Sequence, residues 1–124
     1  MGIHTTFDCV RKILSSLEGV EEKTIHGSPA LYVRGKLLVC PAIHKSAETN
    51  SLVVRLPIER RSRLMEEDPR VYYITEHYAR YSNVLVRLDC IDEKALQELL
   101  VTSWQSASAG LGRSRKGKAL PKKY

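Results

Sequence analysis

The run LYVRGKLLVC, residues 31–40, places two short apolar segments on either side of Arg34-Gly35-Lys36. So short a break, with a glycine to supply the positive φ that such turns need, reads as a tight hairpin. Strands joined by hairpins build an antiparallel sheet, and the rest of the chain can be read outward from this one.

Upstream, TTFDCVRKILSSLE (5–18) has a helical period, with Phe7, Val10, Ile13, Leu14 and Leu17 on one stripe. Thr5 and Asp8 are spaced as a capping pair, and Gly19 is a natural stop. Downstream, HKSAETN (44–50) is a polar loop leading to SLVVRL (51–56), in which Leu52, Val54 and Leu56 alternate with Val53 and Arg55 as in a half-buried strand. Pro57 suits the first position of a helix over IERRSRLMEED, braced by Glu59–Arg63 and Arg63–Glu67 pairs and ended by Asp68-Pro69. Two strands follow, VYYIT and NVLVRLDC, joined by the loop EHYARYS. In the second, Val84, Val86, Leu88 and Cys90 face away from Leu85, Arg87 and Asp89. Asp92 caps a last helix, with Ile91 and Leu96 spaced as a hydrophobic staple. That helix buries Leu96, Leu99, Leu100, Ser103, Trp104 and Ala107. The order is helix, three or four strands, helix, two strands, helix. It predicts an α+β, two-layer sandwich whose helices cover one face of an antiparallel sheet.

At 124 residues, 43% hydrophobic and 27% charged, the chain has the makings of one globular domain. The 20 Lys and Arg are offset by 14 Asp and Glu, giving +6. Arg113, Arg115, Lys116, Lys118, Lys122 and Lys123 are six of those bases, and no acid follows Glu98. Residues 1–109 therefore carry 14 bases and 14 acids, and the whole excess belongs to residues 110–124. These read as a basic, disordered tail rich in Gly, Ser, Lys and Pro. Such a tail either displaces counterions from a polyanion or serves as a solubilising terminus.

Cys9, Cys40 and Cys90 are odd in number and lack a CxxC spacing, which predicts free thiols filling apolar faces in a cytoplasmic protein. No apolar run reaches the roughly 20 residues of a membrane span, and MGIHTTFDCV lacks the pattern of a secretory signal. Gly2 and Thr6 fit a myristoylation pattern, although Thr5 and Thr6 have the better use as a helix start. His4, His26, His44 and His77 show no metal-ligand spacing, the carboxylates sit at element ends, and no serine stands in a GxSxG context. Gly112, Gly117 and Lys118 imitate a P-loop, but Ala119 replaces the hydroxyl residue that would hold magnesium. The expectation is a protein without enzymatic activity, metal or cofactor.

Four stretches together resemble the MmcQ/YjbR family of small bacterial proteins. LEGVEE (17–22) is similar to its leucine–proline–glycine–valine–glutamate pattern, with Glu18 where proline is usual. HGSPALYVRGKLLV (26–39) resembles its histidine–glycine, strand, glycine–lysine segment. DPRVYYITEHYARYSNVLVRL (68–88) resembles its aromatic strand, threonine–x–histidine–tyrosine loop and returning strand. LQELLVTSW (96–104) resembles its final helix with a serine–tryptophan pair. The resemblance implies a compact sandwich related to secretion-chaperone-like folds, with two hairpins likened to the double wing of a viral DNA-binding domain.

It thereby implies contacts to DNA from Arg34 and Lys36 at one hairpin and from His77, Tyr78 and Arg80 at the tip of the other. The tail lies outside the resemblance, and by its charge Arg113, Arg115, Lys116 and Lys118 would add non-specific affinity. The tyrosines of residues 72–88 serve equally well as stacking faces for bases or as half-buried strand residues. The rival reading is a protein-binding or homodimerising, chaperone-like module. A neutral domain without a basic face would favour that rival.

Overall fold

The computed structural model describes residues 6–25 and 27–112, with side chains through residue 108. Ten elements run in the order α1 (Phe7–Ser15), β1 (Val20–Ile25), β2 (Ser28–Val33), β3 (Lys36–Pro41), β4 (Ser51–Arg55), α2 (Ile58–Glu67), β5 (Tyr72–Tyr73), α3 (Glu76–Ala79), β6 (Asn83–Arg87) and α4 (Glu93–Gly112). The strands form one six-stranded sheet in the order β1-β2-β3-β4-β6-β5, and every pairing is antiparallel. The α+β sandwich expected from the hairpin pattern is the one observed.

The main core lies on one face of the sheet. Leu52, Val54 and Leu56 of the β4 region meet Val84, Val86 and Leu88 from the β6 region, and α1 and α4 close over them with Val10, Leu14, Leu96, Leu99 and Leu100. The period-two alternation puts Val53 and Leu85 on the opposite face, where a smaller cluster forms with Tyr78. Cys40, Ala42, Ala47, Tyr73 and Ile74 pack around that cluster. α1, α2 and α4 thus share one face, while α3 and the loop after β3 lie across part of the other.

α4 starts as its sequence predicts. The Ala95 N–H donates to Asp92 Oδ1 at 2.8 Å, and Ile91 and Leu96 are both buried. α1 ends at Ser15, four residues before the expected stop at Gly19, whose φ of +80 instead serves the turn into β1.

Several local expectations change. Pro57 is the residue before α2 rather than its first position, and neither Glu59–Arg63 nor Arg63–Glu67 forms an ion pair. Asp8 pairs with Arg11 at 2.9 Å instead of capping α1, and Thr5 lies outside the described residues. Cys90 is exposed, because β6 ends at Arg87 and a turn takes Cys90 off the strand face. Trp104 is half-buried, with its indole N–H donating to the Glu18 carbonyl at 2.9 Å. α4 continues to Gly112, three residues into the stretch read as tail. His4, His26 and residues 113–124, with Arg113, Arg115, Lys116 and Lys118, lie outside the described residues.

Candidate functional site

The first hairpin is as tight as its sequence demands. Val33 pairs with Lys36, which leaves Arg34 and Gly35 as a two-residue turn with φ of 51 and 83. Positive φ at both positions is the mark of a type I′ turn, whose twist matches that of the flanking strands. Gly35 adopts it freely, whereas Arg34 is held there against its own preference. The turn leaves Arg34 exposed and Lys36 half-exposed at one end of the sheet.

The second hairpin is less simple. β5 is only two residues long, and the chain then coils into the single turn of α3. The Tyr78 and Ala79 N–H groups donate to the Thr75 carbonyl, at 3.1 and 2.8 Å. That turn folds Tyr78 inward, onto Val53 and Leu85, where it is 8% exposed. Its hydroxyl oxygen accepts the His44 N–H at 3.2 Å. Tyr78 is therefore buried rather than placed at an exposed tip. Tyr72 lies in the main core, and the Tyr73 hydroxyl accepts the Glu48 N–H at 2.8 Å and shares a hydrogen bond with Ser51 Oγ at 2.6 Å. Of the four tyrosines in the stretch, Tyr81 alone keeps a largely open ring.

His77 stacks on His44, with ring centroids 3.6 Å apart and planes 6° from parallel, and the Tyr78 ring stands edge-on to both. His44 Nδ1 accepts the Ser46 N–H at 3.0 Å, which puts the proton of the neutral ring on Nε2. Burial, the neighbouring His77 and Lys45 hold the His44 imidazole below its ordinary pKa of 6.5.

Register brings the two hairpins to the same end of the sheet. Arg55 pairs with Asn83, and its side-chain Nε donates to the Leu37 carbonyl at 2.7 Å, so one residue touches both sides. β3 and β6 flank β4, which sets them about 10 Å apart. From α2, Arg61 donates to the carbonyls of Ala79, Tyr81 and Asn83 at 3.3, 3.1 and 3.0 Å. This buried guanidinium, its pKa lowered by burial, fixes the chain where α3 passes into β6.

Between the hairpins lies a groove of about 360 Å³ on the face away from α1 and α4. Leu37, Ile43, Val53, Tyr78, Tyr81 and Asn83 are among the residues that line it. Cys40 lies in its wall, where burial pushes the thiol up to about 11 and leaves it an unreactive apolar surface. Ile43 is 59% exposed and Tyr81 37%, so the mouth of the groove is also apolar.

The charges divide by position. Arg34, Lys36, Arg55, Arg60, Arg63 and Arg80 belong to the end where β3 begins, β4 ends and β6 starts, together with Glu59 and Glu76 from the adjoining helices and Glu18, Glu21 and Glu22 around the start of β1, of which Glu22 is paired with Arg11. At the other end Glu48 takes Arg87 Nε and a terminal guanidinium nitrogen at 2.7 Å each, and Arg87 lies over the Tyr73 ring at 4.2 Å. Asn50 donates to Asp89 there at 2.8 Å.

Arg55 and Arg61 are the residues of this end that the sequence did not single out. Arg61 had a signal, standing three residues from Ile58 and from Leu64, at the spacing of an apolar stripe. Arg55 had none, since it alternates with apolar neighbours like any surface strand residue. Among the described residues no three His, Cys, Asp or Glu come together as metal ligands, and no helix is long and apolar enough to cross a membrane.

Comparison with known proteins gives a family and a similar solved fold. The YjbR family model matches residues 15–106. The structure of the Deinococcus radiodurans protein DR2400, a DUF419-domain protein, superimposes with a TM-score of 0.69 over 85% of this chain and 80% of that one, at 20% sequence identity. No curated protein matches this sequence.

Proposed function

This chain belongs to the YjbR family, and on that premise we propose that it is a non-catalytic nucleic-acid-binding protein that grips the phosphate backbone with the basic end of its sheet. The observation that carries this reading is the convergence of Arg34 and Lys36 with Arg80 at one end of a domain that is neutral overall. Arg80 follows α3 and is exposed, and the Arg61 clamp holds the backbone on either side of it. With β3 and β6 two strand spacings apart, about 10 Å, cations extending from both can reach phosphates of one backbone. Lys and Arg of residues 113–124 add a sequence-independent attraction.

The experiment is a double substitution in the full chain, Arg34→Asn with Arg80→Ala. Asparagine tolerates the left-handed turn that Arg34 occupies, so charge is removed without strain. Affinity for a short DNA should fall at least tenfold, about 1.4 kcal/mol, at unchanged melting temperature. Unchanged affinity would remove this end of the sheet from the interface.

The apolar groove favours a second reading, a site for an apolar peptide with acidic flanks. The exposure of Ile43 and Tyr81 at its mouth supports it.

A further inference from the structure

We propose that the groove between the hairpins receives an unstacked base, so that the protein prefers single-stranded nucleic acid to duplex. The inference rests on the nucleic-acid reading and goes beyond it by naming the ligand group and its pocket.

Three features of the groove point to a base. The first is an unsatisfied acceptor. Asn83 lines the cavity, and its Oδ1 is buried without a hydrogen-bond partner. An aliphatic side chain seated here would leave that oxygen unpaired, which is costly, whereas an amine or ring N–H would satisfy it. Every base carries such a donor on its Watson–Crick edge, and in a duplex that edge is already taken. The second is the aromatic wall. Tyr78 and Tyr81 both line the groove, and the Tyr81 ring is open enough to stack. The third is the charge around the mouth. Arg55 lines the cavity on one side and Arg80 adjoins Tyr81 on the other, so cations stand where the phosphates flanking an inserted base would pass. At about 360 Å³ the groove falls within the range of ligand pockets, about 300–1,000 Å³. The rims of a stacked duplex could touch Arg34 and Arg80, but its bases could not enter.

The test titrates the full chain, at salt high enough to weaken contacts from residues 113–124, with three fluorescent probes: a short single strand, the same strand made abasic, and the matched duplex. The intact strand should bind at least tenfold more tightly than the abasic strand. Tyr81→Ala and Asn83→Ala should each erase most of that difference while leaving duplex affinity within twofold. Asn83→Ala removes only a side chain whose oxygen has no partner, so its melting temperature should hold, and a loss of affinity then reports the pocket. Equal affinity for intact and abasic strands would overturn the base pocket while leaving the phosphate grip in place. Failure to bind any strand would overturn both. Binding of an acid-flanked apolar peptide that depends on Tyr81, without strand binding, would assign the groove to peptides.

Discussion

Arg61 shows how a single charged residue can do structural service inside an apolar layer. Its position on α2 would normally hold an aliphatic side chain, yet its guanidinium reaches three carbonyls, those of Ala79, Tyr81 and Asn83, of which Tyr81's also accepts the Asn83 N–H. Removing it leaves those carbonyls without their charged donor, at the junction of α3 and β6. Arg61→Ala should therefore cost about 2–3 kcal/mol, read as a lower denaturant midpoint, in keeping with hydrogen bonds to charged groups. Arg61→Lys should recover only part of this, because one ammonium cannot span the fork geometry that serves Ala79, Tyr81 and Asn83 together. A variant as stable as the parent would show that water satisfies those carbonyls equally well.

Among the elements, the loop between β3 and β4 and the short α3 depend on each other. The His44–His77 stack and the Tyr78 hydroxyl join them, and neither has a large apolar face of its own. Because the His44 pKa is lowered, the folded protein takes up fewer protons than the unfolded chain at acidic pH. The stability tied to neutral His44 is thus present above the ordinary value of about 6.5 and is lost as pH falls below it. Between about pH 8 and pH 5 the denaturation midpoint should fall, and amide exchange should accelerate first in residues 42–50 and 75–82. His77→Gln should flatten the response by removing the neighbouring charge. A pH-independent midpoint would mean that the stack is free to part without cost.

The same scale shows what local pattern could and could not reveal. The first hairpin, the alternation of residues 52–56 and the Asp92 cap were legible because each depends on residues close in sequence. The pairing of β4 with β6 was not, since the strands are separated by α2, β5 and α3, and only the closed core selects that partner. Tyr78 was misplaced for a related reason. A one-turn helix has too few residues to show a period, yet it decides whether the ring points outward or into the Val53–Leu85 cluster. Of the candidate site, the basic residues were visible as types but not as neighbours. The groove was invisible, being lined by residues of β3, β4, α3 and β6 that lie far apart in sequence.

At the scale of the whole molecule, the proposed interface has two parts with different salt behaviour. The domain through Gly112 balances 14 bases with 14 acids, so its attraction to a polyanion comes from the placement of charge rather than from its sum. Residues 113–124 contribute six bases and no acid. If all six meet duplex phosphates, they alone give log K a slope near −5 against log salt, at about −0.9 per contact. Ending the chain at Gly112 should reduce the slope by up to that amount, while any preference for bases over abasic sites survives unchanged. The two quantities separate because counterion release depends on the number of phosphates neutralised, whereas the contacts of a seated base with apolar and aromatic walls and with Asn83 are ones that salt barely touches. Binding that vanishes altogether on truncation would place the whole affinity in residues 113–124. The end of the sheet would then be left to the peptide reading, for which the open rings and aliphatic side chains at the mouth of the groove already provide a surface.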